Sequence, residues 1–163
     1  YLVSALFTQI CYGEIMKRLS LYIFLVLMWC NVGFTQSMIP LSQYLEENSG
    51  YSKDPIAVSY IAKRCAAAYL YALTISLEDK KKTKQSLINS YQILFEFAAN
   101  VLISKMNWNV QDAGEDVVND VDKMMQYYIK DGKDFFTRTG TYTINNYIGN
   151  DLRFCKKLVE KIK

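Results

Sequence analysis

The sequence predicts an all-α fold: an up-down bundle of four main helices over about 55–77, 83–106, 112–136 and 144–162, with a short leading helix near 40–48. Three observations predict it. Apolar residues recur at alternating steps of three and four through four long stretches, which is the period of one helix face. Only two prolines occur in 163 residues. The joints between the stretches are short, so consecutive helices return alongside one another.

Pro40 to Asn48 forms the leading helix, ended by Ser49 and Gly50. Asp54 then offers a carboxylate to free backbone amides, and Pro55 stands at the first helical position, where its missing N–H costs nothing. In the helix that follows, Val58, Ile61, Cys65, Ala68, Ala72 and Ile75 line one face. The charged turn Glu78 to Lys82 leads into the second main helix, with Leu87, Tyr91, Leu94, Ala98 and Val101 in register. Ile88, Phe95 and Leu102 widen that stripe, so this helix is expected to be the most buried.

Asn107-Trp108-Asn109 interrupts the pattern. The third helix resumes near Asp112 with Val117, Val121, Met124 and Tyr128 on one line and Val118, Met125 and Ile129 beside it. Gly132 marks a point of fraying or bending, since glycine is costly inside a helix, and Phe135 and Phe136 are expected to pack inward. Thr137 to Thr143 is rich in β-branched residues and holds Gly140, which reads as an extended connection. The fourth helix places Ile144, Ile148, Leu152, Cys155, Val159 and Ile162 on its core face.

Ahead of the bundle, Met16-Lys17-Arg18 and the apolar run from Leu19 have the order of a secretory signal. The run to Phe34 is 16 residues, interrupted by Ser20 and Asn31, and a helical membrane span needs about 20. A cleaved signal over 16–35 is therefore expected, with cleavage after Thr35 or after Ser37. Tyr1 to Ile15 reads as upstream sequence translated in error. The competing reading is an internal segment acting as a membrane anchor. Residues 36–163 then make one exported helical domain, whose longest apolar run, Ala66 to Leu73, is far too short to cross a bilayer. Export is periplasmic in an organism with two membranes.

With Cys11 and Cys30 outside that domain, Cys65 and Cys155 remain, an even count in an oxidising compartment. Each sits near the middle of its helix on the core stripe. In an up-down bundle the first and fourth helices are neighbours whose midpoints come level, so a Cys65–Cys155 disulfide is expected.

Composition excludes several functions. Lysine and arginine number 19 against 16 acidic residues, too nearly balanced for a nucleic-acid footprint. There is no histidine, which removes the commonest general base, the commonest zinc ligand and every Ser/His or Cys/His nucleophile pair. The glycines are scattered, so no phosphate cradle forms.

Three clusters remain. Asp112, Asp116 and Asp120 fall at i, i+4 and i+8, a carboxylate flank that is a weak candidate for Ca²⁺ or Mg²⁺; a solvated face near a helix N-terminus accounts for it better. Lys80, Lys81, Lys82 and Lys84 read as a solvated turn that complements the end of the preceding helix. Tyrosines are abundant, among them Tyr60, Tyr69, Tyr71 and Tyr91, and are expected at the boundary with ring inward and hydroxyl to water. Tyr127, Phe136, Tyr142 and Tyr147, around the Thr-rich connection, are the candidate ligand or partner face.

The functional expectation is a non-enzymatic binding or interaction module of the cell envelope, without cofactor, whose partner is a protein or a small ligand. Two alternatives stand beside it. One is a metal-dependent enzyme or divalent-cation carrier using the acidic flank; the other is a membrane-tethered structural subunit with the N-terminal segment retained.

Overall fold

The computed structural model describes residues 38–76 and 81–162. The signal segment, Cys11, Cys30, residues 77–80 and the Lys81 side chain lie outside them. Among the described residues five α-helices follow in order: α1 (Leu41–Glu47), α2 (Pro55–Ile75), α3 (Lys81–Met106), α4 (Val110–Thr139) and α5 (Tyr147–Ile162). A single 3₁₀ turn, Tyr51–Lys53, joins α1 to α2. The four long helices form the bundle, and α2 packs against α3, α4 and α5 alike. Among the described residues no helix is long and apolar enough to cross a membrane.

Most starts and stops follow local chemistry. The Asp54 carboxylate accepts from the Ile56 N–H at 2.9 Å and Pro55 opens α2. Asn109 caps α4 by accepting from the Asp112 N–H at 2.8 Å, so that helix begins two residues earlier than expected. Its left-handed end is Gly140 (φ 74°), whose N–H reaches the Phe136 carbonyl. Glycine tolerates that conformation without steric penalty.

The C-terminal half of α4 departs from expectation. Thr137 and Thr139 continue the helix because their hydroxyls donate back to the Lys133 and Phe135 carbonyls, each at 2.9 Å. Bonds of this kind give a threonine hydroxyl a partner inside the helix. The connection to α5 is then 140–146, and Asn145 takes a left-handed conformation (φ 60°). Asn146 caps α5, accepting from the Gly149 N–H at 3.0 Å. Ile144 is thereby excluded from the helix and is 61% exposed. Phe136 does not turn inward either; it is exposed and stacks on Tyr142 at 4.3 Å between ring centroids.

The most buried helix is α2, not α3. Every residue from Ile61 to Tyr69 is buried. Ala62, Ala66, Ala67 and Ala68 keep its girth small, so neighbours close in on several sides. On α3 the buried line is Ser90, Leu94, Ala98 and Leu102, a strict i, i+4 stripe. Ser59 stitches the two helices, donating to the Ala98 carbonyl at 3.2 Å. Val118, assigned to the third helix's core face by periodicity, is 53% exposed. Val117, Val121, Met124 and Tyr128 carry that face.

Gly132 does not interrupt α4, which runs unbroken from Val110 to Thr139. It lies against the Tyr71 ring, so close that a β-carbon there would stand 1.9 Å from the tyrosine oxygen and 2.6 Å from Cζ. The glycine admits a buried tyrosine from α2. Cys65 and Cys155 lie at disulfide distance, with Cα atoms 5.2 Å apart and a sequence separation of 90 positions. The bond joins α2 to α5.

Two outcomes follow for stability. Gly132→Ala gains about 1 kcal/mol of helix propensity but incurs about 1–3 kcal/mol of overpacking, so the melting temperature should fall; in a Tyr71→Leu background the same change should be neutral or stabilising. Reducing Cys65–Cys155 releases a long loop in the unfolded chain. Chemical denaturation with and without reductant should differ by on the order of 4–5 kcal/mol.

Candidate functional site

Of the three clusters picked out in the sequence, the structure disperses two. The Lys63 ammonium, buried on α2, bridges the acidic flank, pairing with Asp116 and, at 2.8 Å, with Asp120. Asp112 stands apart at the α4 cap, accepting from the Asn109 side-chain amide at 2.6 Å. A lysine thus occupies the position between two carboxylates where a cation would sit. Among the described residues no group of three or more potential ligands converges on a metal position. Lys82 is exposed and Lys84 half-buried at the start of α3, and Lys80 lies outside the described residues.

The aromatic cluster divides as well. Phe136 and Tyr142 stack on each other, while Tyr147 stacks on Tyr128 at 6.1 Å and donates its hydroxyl to Asp131. Tyr127 is exposed, nine residues from Phe136 and so about half a turn out of phase with it around α4. The tyrosines do not all behave as boundary residues: Tyr71 and Tyr128 are 1% and 0% exposed and their rings stack at 6.0 Å.

Tyr128 belongs to a buried polar cluster that periodicity does not reveal, while Tyr71 packs on it with its own hydroxyl unpaired among the described residues. Arg64 on α2 and Asp151 on α5 are both buried, paired through Nη2 and Oδ2 at 2.6 Å. Arg64 Nε also donates to the Tyr128 hydroxyl and to Asp151 Oδ2, each at 3.2 Å. Tyr128 donates in turn to Oδ2 at 2.7 Å. The remaining carboxylate oxygen, Oδ1, accepts from the Leu41 N–H at 2.9 Å, satisfying a free amide in the first turn of α1. Burial works against the charge on Arg64, and Tyr128 and Asp151 more than offset it, holding the pKa above its ordinary value. Burial also raises the phenol of Tyr128 well above 10.0 and that of Tyr71 to about 12. Tyr147 moves the same way, from burial first and then from its bond to Asp131. With no opening to solvent at its centre, this cluster is a structural tie between α1, α2, α4 and α5.

Among the described residues, an opening to solvent lies elsewhere. A cleft of about 200 Å³ runs between the 3₁₀ turn, α2, α3 and α5, lined by Tyr51, Val58, Ile61, Phe97, Phe154, Leu158, Lys157 and Lys161. Helix spacing builds its walls: Phe154, Lys157, Leu158 and Lys161 fall at i, i+3, i+4 and i+7 on α5, and Val58 and Ile61 at i and i+3 on α2. A second depression of about 530 Å³ shares Val58 and Phe97 and continues along α3 past Val101 and Ser104 to Lys105, with Lys53 and Pro55 on its other side. Phe97, Phe154 and Leu158 were missed in the sequence because they fall one position off the core lines through Ala98, Cys155 and Val159. The signal that marks them is the width of the apolar arc on α3 and α5, broader than one core face needs. Compared with protein-family models, curated proteins and solved structures, the chain matches none.

Asp151→Asn leaves the Arg64 charge buried without its counter-ion and should cost about 3–5 kcal/mol in denaturant unfolding; Tyr128→Phe should cost about 1–3 kcal/mol. Alkali provides a separate check. The phenols of Tyr71, Tyr128 and Tyr147 hold their protons more tightly folded than unfolded, so this stabilisation is complete below pH 10 and is lost as pH rises through the folded values. The melting temperature should decline steadily between pH 10 and 12, and Tyr71→Phe should flatten that decline.

Proposed function

We propose that the protein is an exported, non-enzymatic binding module of the cell envelope that takes an apolar ligand in the cleft beside Phe97 and Phe154. The observation that carries this reading is the cleft itself, an open recess lined mostly by apolar side chains from α2, α3, α5 and the 3₁₀ turn. Ligand sites are typically concave and mostly apolar with a few polar groups at defined places. The walls come from three helices and the 3₁₀ turn, and α2 and α5 are tied by Cys65–Cys155 and by Arg64–Asp151. A recess built on tied helices keeps its shape without a ligand, which lowers the ordering cost of binding. The cysteine pair at disulfide distance supports the oxidising compartment that the signal segment implies. The metal-carrier alternative is weakened by Lys63, whose ammonium already occupies the position between Asp116 and Asp120 and pairs with both.

A neutral apolar fluorophore such as N-phenyl-1-naphthylamine should bind the purified protein with a blue shift and enhanced emission. Val58→Trp, which fills the wall shared by both recesses, should weaken that binding about tenfold, the effect of losing one good apolar contact. Its melting temperature should stay within a few degrees of the parent. Fluorophore binding unchanged by Val58→Trp would place the apolar site elsewhere.

A further inference from the structure

The charges around the cleft say more about its ligand than its apolar walls do. The chain as a whole carries 19 basic and 16 acidic residues, yet four lysines and no carboxylate line the two connected recesses. The acidic side chains gather elsewhere, many of them on α4, which contributes nothing to either lining. Lys53, Lys105, Lys157 and Lys161 make no ion pair among the described residues. Lys157 and Lys161 stand one turn apart on the same stripe of α5 as Phe154 and Leu158, so two ammonium groups flank the narrower and more apolar recess. Part of their role is to complement the C-terminal end of α5, as Lys105 complements that of α3, but that accounts neither for Lys53 nor for the missing acids.

We infer, on the reading that this cleft is the binding site, that its ligand is a monomeric single-chain fatty carboxylate, its head group held by Lys157 and Lys161 and its tail lying over Val58 and Phe97. Charge complementarity selects the head and the apolar lining selects the tail. Size agrees: an apolar cavity of about 150 Å³ holds the six carbons of benzene, so the 200 Å³ recess holds about eight, with the adjoining depression open to a longer tail. Exposed ion pairs are individually weak and screened by salt, so the lysines tune head-group preference while the walls supply most of the affinity.

The test is displacement of N-phenyl-1-naphthylamine from the purified protein by monomeric decanoate, decanol and decyltrimethylammonium, all of one tail length. Decanoate should displace it about tenfold more tightly than decanol, and the cationic amphiphile should be the weakest of the three; raising salt from 50 mM to 500 mM should close most of that gap. The double variant Lys157→Gln/Lys161→Gln should bring decanoate down to the level of decanol, leaving decanol affinity unchanged and lowering the melting temperature by no more than a few degrees. Equal displacement by decanoate and decanol overturns the inference while the apolar cleft stands. The same loss produced instead by Lys53→Gln/Lys105→Gln overturns the head-group position. Binding to phosphatidylglycerol vesicles without displacement by decanoate overturns the monomeric ligand in favour of a membrane surface. Absence of fluorophore binding at any concentration overturns the cleft reading itself, and the inference with it.

Discussion

The carboxylate of Asp151 is the point on which the arrangement of helices depends. Its two oxygens receive hydrogen bonds from Leu41 at the start of α1, from Arg64 on α2 and from Tyr128 on α4, while its own backbone belongs to α5. A charge buried to this extent persists only when it is paired and hydrogen-bonded. The requirement is directional, unlike apolar burial: a rotation of α5 by one residue would leave Arg64 without its counter-ion and the first turn of α1 without an acceptor. Apolar packing allows several registers of four similar helices, and this cluster discriminates among them.

The disulfide acts beside it. Cys65 follows Arg64 directly, and Cys155 stands one turn beyond Asp151, so the covalent and the ionic tie join the same two helices at neighbouring levels. Their physics differs. The ion pair specifies register through geometry in the folded state, whereas the disulfide acts mainly on the unfolded chain by removing its loop entropy. A domain of this size with an alanine-rich central helix buries modest apolar area per residue along that helix, and both ties lie where the side chains are smallest. The alanines that permit close approach also bring the buried charges within reach of their partners.

Close approach at the centre has a counterpart at the edge. Helices drawn in around Ala62 to Ala68 cannot also close around the broader residues at the beginning of α2, and the recess beside Val58, Phe97 and Phe154 remains open there. The proposed binding role thus sits next to the stiffest part of the fold but outside it. Lys63, with Asp116 and Asp120, serves the same end on another side, joining α2 to α4 with charges that a sequence reading assigns to solvent.

Period and capping chemistry are local properties, and for that reason the sequence by itself determined the helices, most of their boundaries and the principal core residues: Asp54-Pro55, the lines through Val117 to Tyr128 and through Ile148 to Val159, and the facing of Cys65 toward Cys155 all rest on interactions within a few residues or on one helix face. Where reading failed, the deciding partner was distant in sequence or the local signal was ambiguous. Gly132 looks like a weak point until Tyr71 arrives from 61 positions away; the threonines of α4 look extended until their hydroxyls find carbonyls one turn back. Tyr128 and Asp151 carry no pattern that marks them as a buried pair with Arg64, because a charge is buried only by virtue of what other helices bring to it. The cleft was the least legible feature of all. Its walls belong to four elements, each contributing residues just off a core line, and a recess is defined by where packing stops, which tertiary structure alone decides.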